Sequence, residues 1–255
     1  MISFMIRYSY NTMKFRISEP FFNSRIEQAY GFIYAVSMHI DVIDLGITGY
    51  DEALALQHTL LEKRQRDEIP DTLLLLEHTP VVTMGKRAEE SDLLFSREQL
   101  AGRGVEVVRI DRGGQATYHG PGQLVAYPII HLKNHERKLK RFIHNLETVI
   151  IQLLHDHYGL NAHTNDEYIG VWIETRKIAA IGISVHQKVT MHGFALNVNT
   201  DLEYFSMIVP CGIRSGELGV TSISRELGRE VETDSVKRLI APVFRRVYGY
   251  DQEET

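Results

Sequence analysis

The sequence predicts an α/β fold of the α+β type: one domain with a mixed or antiparallel sheet and flanking helices. Three observations carry this. Short apolar strand patterns alternate with helical ones through the first half of the chain. Three dense strand patterns, 169–174, 177–185 and 191–199, follow one another with short breaks, as an antiparallel or mixed meander does. The pattern over 136–158 has the helical period that lets one face pack on a sheet.

The elements follow in order. Residues 39–45 read as a strand. Thr48 then reads as the N-cap of a helix, with Asp51 three residues on. Tyr50, Ala53, Leu54, Leu60 and Leu61 keep to one face of that helix. Residues 72–77 form a buried strand, and 81–84 a second after a turn at Pro80. A short helix is predicted over 96–102, and strands over 105–110 and 123–130. The helix over 136–158 ends at Gly159, which suits the left-handed position after a helix. The C-terminal part reads as helical, 220–227 and 234–248, with Pro242 expected to kink the last helix or delay its start.

Length and composition bound the function. The chain has 255 residues, 44% hydrophobic and 24% charged, which excludes a disordered chain, a collagen-like fibre or a coiled-coil rod. A net charge of −5 argues against nucleic acid as partner, because phosphate binding needs clustered positive charge. The run Leu73–Leu76 is far too short to span a bilayer. No apolar signal region follows a basic start. No membrane role and a reducing, cytoplasmic compartment are therefore expected. Residues 1–37 stand apart, holding nine of the 23 aromatic residues with no clear helical or strand period. They read as an extension, either a leader ahead of a true start at Met38 or a transit peptide. The domain itself is read as 38–255.

Four segments carry chemistry. Arg112 to Gln123 (RGGQATYHGPGQ) interleaves glycines, which permit close backbone approach, with Arg112, Gln115, Thr117, Tyr118, His119 and Gln123. It lacks the Gly-Lys-Ser/Thr of a phosphate loop, and no helix pattern follows it as a dinucleotide site requires. It is either a binding loop between strands or a plain hairpin connection. Lys177 opens an apolar strand whose Ala179, Ala180 and Gly182 leave room for an acyl chain; alternatively it is a solvated strand end. In His192–Asn199, Phe194, Leu196 and Val198 face one way and Gly193, Ala195, Asn197 and Asn199 the other, either a substrate wall or an exposed face. The single cysteine, Cys211, lies in a Pro-Cys-Gly turn. One cysteine forms no internal disulfide and no Cys-rich zinc site. It is either a small buried hydrophobe or a reactive thiol beside free backbone N–H groups. The histidines show no His-Glu-x-x-His pattern, so no metal is expected.

At these segments the chain resembles the lipoyl(octanoyl) transferases, the LipB family. Six stretches match in order: Asp44–Gly46; Leu76–Pro80 with Thr83–Arg87; Arg112–Gln123; Gly170–Gly182; His192–Asn199; and Pro210–Gly212. They cover about 40–248 and leave 1–37 outside. The resemblance implies the catalytic fold of biotin and lipoate protein ligases. It implies transfer of an octanoyl or lipoyl group from acyl carrier protein to a lysine of a lipoyl domain, the first step of protein lipoylation. The acceptors implied are the lipoyl domains of 2-oxoacid dehydrogenase complexes and the glycine cleavage H protein. A Cys/Lys dyad is implied, with Cys211 as nucleophile and Lys177 lowering its pKa or acting as base. The implied acyl pocket is Arg112, Gly113, Gly114, Gln115, Ala116, Thr117, Tyr118 and His119, with Ala180, Ile181, Gly182, Gly193, Phe194 and Ala195. No ATP or other cofactor is implied, since the donor thioester on phosphopantetheine is already activated. Two competing readings remain, an ATP-dependent lipoate or biotin ligase and a non-catalytic carrier-binding module.

Overall fold

The computed structural model describes residues 38–134, 138–209 and 218–252, together with the backbone of 2–7 and 12–17. The chain divides into two compact units, 1–37 and 38–255. In the first, β1 (Ile2–Arg7) pairs antiparallel with β2 (Thr12–Ile17), Ile2 opposite Ile17. The sequence pattern did not predict these two strands.

In the second unit, β3 (Ile40–Thr48) leads into helix α1 (Tyr50–Gln65). Thr48 does not cap that helix as predicted. It ends β3, its hydroxyl donates to Leu45 O (2.9 Å), and Gly49 takes the cap position without a side-chain bond. β4 (Asp71–His78) and β5 (Val81–Met84) follow. Ser96 caps the short α2 (Arg97–Ala101) by accepting from Gln99 N, while the Gln99 side chain returns to the Ser96 N–H. Then come β6 (Glu106–Arg109), β7 (Ala116–His119) and β8 (Gln123–Ile129). β7 lies inside the run read as a loop; its pairing with β5 makes it a strand.

Helix α3 (Leu139–Tyr158) begins three residues later than predicted, with Lys138 extended, and ends at Gly159 with φ +64°. β9 (His163–Thr164), β10 (Gly170–Ile173), β11 (Arg176–His186) and β12 (Val189–Asn197) follow. The predicted 220–227 helix is instead β13 (Gly219–Val220), then α4 (Ile223–Leu227) capped by Ser222. Strand pairing to β11 takes Val220, the residue that the pattern assigned to the helix start. The last helix, α5 (Thr233–Tyr248), runs across Pro242 without interruption.

The described strands of the second unit form two mixed sheets. The larger has the order β3-β4-β8-β12-β11-β10-β9, with β13 also pairing β11; β3–β4 and β11–β13 are parallel and the other pairs antiparallel. The smaller has the order β6-β5-β7. Helices cover both faces of the large sheet, which explains the unbroken apolar run in β4. Leu73 and Leu75 pack toward α3 and α5 with Phe142, Leu146, Ile150 and Phe244. Leu74 and Leu76 pack toward Ala53 of α1. A strand buried on both faces has no polar side to alternate with. Removing one of these side chains, as in Leu146→Ala, costs about 2–5 kcal/mol. Among the described residues no helix is long and apolar enough to cross a membrane.

Candidate active site

Arg112, Lys177 and the two central strands meet around one cavity of about 580 Å³, inside the roughly 300–1,000 Å³ typical of small-molecule sites. One wall is the glycine-rich run. It is held on both sides by backbone bonds. Lys86 N donates to Arg112 O (3.0 Å), Arg87 N to Gly114 O (3.1 Å), and Gly113 N to Ile183 O of β11 (3.2 Å). The Arg112 side chain folds back, its guanidinium donating to Thr83 O (2.7 Å) and Thr83 Oγ1 (2.8 Å). Gly85 has to be glycine there. A Cβ would sit 2.5 Å from Gly114 O and 2.7 Å from an Arg112 nitrogen.

Alternation along β7 divides the predicted pocket. Thr117 and His119 line the cavity. Ala116 and Tyr118 point away, into a second cluster with Leu100, Phe205 and Met207, where Tyr118 stacks on Tyr204 at 4.7 Å. Ala180, Ile181, Gly182, Gly193, Phe194 and Ala195 all border the cavity, as do Arg112, Gly113, Gly114 and Gln115. Every residue of β12 is buried, so the exposed-face reading of 192–199 does not hold for Val189–Asn197. The glycines serve close packing more than empty space. A Cβ on Gly182 would meet Arg112 Cδ at 2.9 Å, and one on Gly193 would meet Ala126 O at 1.9 Å.

Lys177 is 4% exposed, so it is not a solvated strand end. Its Nζ donates to Ile169 O (3.2 Å) and lies 4.9 Å from the Trp172 ring centroid. Gly170, at φ +136°, lets β10 approach; a Cβ there would meet Ala179 O at 2.4 Å and Lys177 Cε at 3.4 Å. Among the described residues no carboxylate pairs with this ammonium. Cys211 lies outside the described residues. The chain reaches that segment at Val209, whose N–H donates to Asp92 O (2.8 Å), and leaves it at β13, parallel to Arg176–Lys177.

A buried polar chain runs from the glycine-rich wall to this strand end. Thr83 Oγ1 accepts from Arg112, so its own proton points to His119 Nε2 (3.3 Å). His119 Nδ1–H donates to Gln123 Oε1 (2.8 Å), and Gln123 Nε2 donates to Asn197 Oδ1 (2.9 Å). Asn197 Nδ2 donates to Thr221 O (2.9 Å), and Thr221 N to Lys177 O (3.0 Å). Burial, aided by His78, pushes His119 down to about 3 and burial alone pushes His78 down to about 4. Both are neutral at pH 7. His78 Nδ1–H donates to Thr48 O (2.9 Å), leaving Nε2 to accept from the Tyr127 hydroxyl (2.7 Å).

Several lining residues were not read from the sequence: Tyr50, Arg87, Tyr127, Ile143, Ile169 and His192. Tyr50 looked like helix core, and Tyr127 like an ordinary strand position. His192 holds φ +58°, a strained value for a non-glycine residue. Its N–H donates to Gln57 Oε1 (2.9 Å) and its Nε2 bonds Asp111 Oδ1 (2.7 Å). Asp111 also takes His186 Nε2 (2.8 Å). Burial raises the Asp111 carboxyl, but the two histidine bonds outweigh it and hold the group below its usual range. Among the described residues no group of three or more His, Cys, Asp or Glu converges to hold a metal.

Comparison with known proteins agrees with this architecture. Residues 49–245 match the lipoyl protein ligase A/B catalytic domain. An octanoyltransferase of Alkaliphilus metalliredigens is 46% identical over 218 residues, covering 86% of this chain and 99% of the relative. One of Rubrobacter xylanophilus is 52% identical over 206 residues, covering 80% and 91%. Among solved structures, P. falciparum LipL1 in complex with lipoate superposes with a TM-score of 0.69 at 15% identity, covering 85% of this chain and 65% of that one. A bi-partite lipoate protein ligase from Thermoplasma acidophilum does so with a TM-score of 0.62 at 16% identity, covering 86% and 87%. At such identities the two structures speak to fold alone, and the fold is that of the lipoate ligase catalytic domain. The relatives speak to activity: the chain belongs to the lipoyl protein ligase A/B catalytic domain family and, within it, to the octanoyltransferases, acyltransferase enzymes of lipoylation.

Proposed function

We propose that the cavity holds an octanoyl or lipoyl chain delivered as a thioester on the phosphopantetheine arm of acyl carrier protein, and that Cys211 carries it before transfer to a lipoyl-domain lysine. The observation that supports this most is Lys177. Among the described residues this buried ammonium meets a carbonyl and an indole ring and no carboxylate, an environment that calls for an anion. A Cys211 thiolate is the anion this reading supplies, since a neighbouring ammonium favours thiolate over thiol. The Cys211 sulfur attacks the thioester carbonyl, and the pantetheine thiolate leaves and takes up a proton. The acceptor ε-amine, after losing its proton, attacks the acyl-cysteine; an amide bond forms and the Cys211 thiolate is released. Backbone N–H groups near the glycine-rich wall are the candidates to hold the oxyanion. No ATP enters, because the donor is already activated. The acceptors are lipoyl domains of 2-oxoacid dehydrogenase complexes and the glycine cleavage H protein. Thiol chemistry of this kind fits the reducing cytoplasm.

Intact mass after mixing with octanoyl-carrier tests this. The expected result is an adduct of one octanoyl group, absent in Cys211→Ser. Absence of the adduct in the parent removes covalent catalysis. Undiminished activity of Cys211→Ser with octanoate and ATP replaces transfer by ligase chemistry. Lys177→Ala is expected to raise the pH at which Cys211 alkylates; an unchanged profile removes the pKa-lowering role.

A further inference from the structure

The residues that α3 buries are apolar with one exception, the carboxylate Glu147. Ile143, one turn earlier on the same helix, borders the cavity, and Glu147 does not. The Glu147 Oε1 accepts from Gly170 N (3.4 Å), and its Oε2 lies 3.8 Å from Nδ1 of the exposed His144. Burial raises the carboxyl, and the Gly170 bond and His144 offset part of that rise. A helix face that packs on a sheet gains nothing from a carboxylate, so Glu147 costs stability unless it has a charged counterpart.

That counterpart stands across one peptide unit. The N–H that Glu147 accepts belongs to the same peptide as Ile169 C=O, and this carbonyl accepts from Lys177 Nζ (3.2 Å). A trans peptide points its N–H and C=O in opposite directions, here one toward the carboxylate and one toward the ammonium. Gly170 holds φ +136°, where a side chain would be strained and its Cβ would meet Ala179 O at 2.4 Å. The backbone thus takes a conformation reserved for glycine, and the peptide it presents bridges two buried charges of opposite sign. Each charge alone is costly to bury. Joined through the peptide, each offsets part of the other's cost, and the carboxylate polarises the carbonyl that Lys177 bonds.

We propose that Glu147 is a positioning residue for Lys177. It fixes the 169–170 peptide so that the carbonyl holds the ammonium at the cavity, and its charge favours ammonium over free amine. It acts through Lys177 and touches no substrate. The inference rests on the role given to Lys177 above.

The test follows the Glu147 carboxyl across pH by carbon-13 NMR in the full chain, comparing the parent with Lys177→Met. Methionine keeps most of the buried stem and removes the charge. The Glu147 midpoint is expected to rise by about half a pH unit, a fraction of the roughly one- to three-unit effect of a cation in direct contact. An unchanged midpoint overturns the proposal. Glu147→Gln keeps an acceptor for Gly170 N–H and loses the charge. It is expected to raise the pH at which Cys211 alkylates, by less than Lys177→Ala does. Alkylation that shifts in Lys177→Ala and not in Glu147→Gln also overturns the proposal. A raised Glu147 midpoint with alkylation unchanged in both variants upholds the link from Glu147 to Lys177 and removes the action of Lys177 on Cys211, so the two readings fail separately.

Discussion

Replacing Gln123 by Ala should cost the protein a large part of its stability. Gln123 is 1% exposed and binds three ways: it accepts from His119 Nδ1–H (2.8 Å) and donates to Asn197 Oδ1 (2.9 Å) and Tyr118 O (3.2 Å). The truncation leaves a buried ring N–H and a buried amide oxygen without these partners, at about 1–3 kcal/mol each. A void is added where the side chain stood. The total is about 3–5 kcal/mol, against the 5–15 kcal/mol of a typical domain. Urea unfolding measures it. With m near 2–3 kcal/mol/M, the midpoint falls by about 1–2 M. Gln123→Glu sharpens the test, since a carboxylate still accepts from His119 but cannot donate to Asn197 or to the Tyr118 carbonyl. It should be at least as damaging at neutral pH. A loss below about 1 kcal/mol for Gln123→Ala would refute the assignment of these bonds to stability, because water would then be replacing the amide.

Gly182→Ala places a Cβ 2.9 Å from Arg112 Cδ and 3.1 Å from Gly113 O; the fold should survive while kcat/KM for octanoyl transfer drops about tenfold or more, and normal kinetics would show that the Arg112 wall moves freely. Gly193→Ala meets the Ala126 carbonyl at 1.9 Å, so β8 and β12 cannot keep their pairing and soluble expression should be lost. The two buried histidines set a pH dependence. His119 and His78 are held near 3 and 4 when folded, against about 6.5 unfolded. Below pH 6.5 the unfolded chain takes up protons that the folded one refuses, so their contribution to stability is complete above that pH. It is lost as the pH falls toward 4 for His78 and toward 3 for His119, each at about 1.4 kcal/mol per pH unit. Denaturation of His119→Asn at pH 6, 5 and 4 should show a loss shallower by that amount than the parent's; parallel curves would mean that His119 is protonated in the native state.

Much of the molecule was legible in one dimension because the relevant physics is local. The apolar period of α3 and its terminal glycine, the short helix α2, and the dense strands of the meander all follow from side-chain spacing and backbone preference. The family, too, could be recognised from its ordered motifs. What escaped was decided by partners distant in the chain. Thr48 reads as a cap until β3 claims it, and Val220 reads as a helix start until β11 offers a pairing edge. Ala116 and Tyr118 cannot be told from Thr117 and His119 until β7 pairs with β5 and alternation divides them between two faces. The sequence by itself determined which residue types assemble here: glycines for close approach, a lysine, and neutral polar side chains. Only the tertiary structure decided that Lys177 is buried over Trp172, that a relay of amides and one imidazole joins it to Arg112, and that Tyr50 borders the cavity. The reason is that burial, and the hydrogen bonds burial demands, are properties of neighbours in space. Sequence spacing reports those neighbours only within one element.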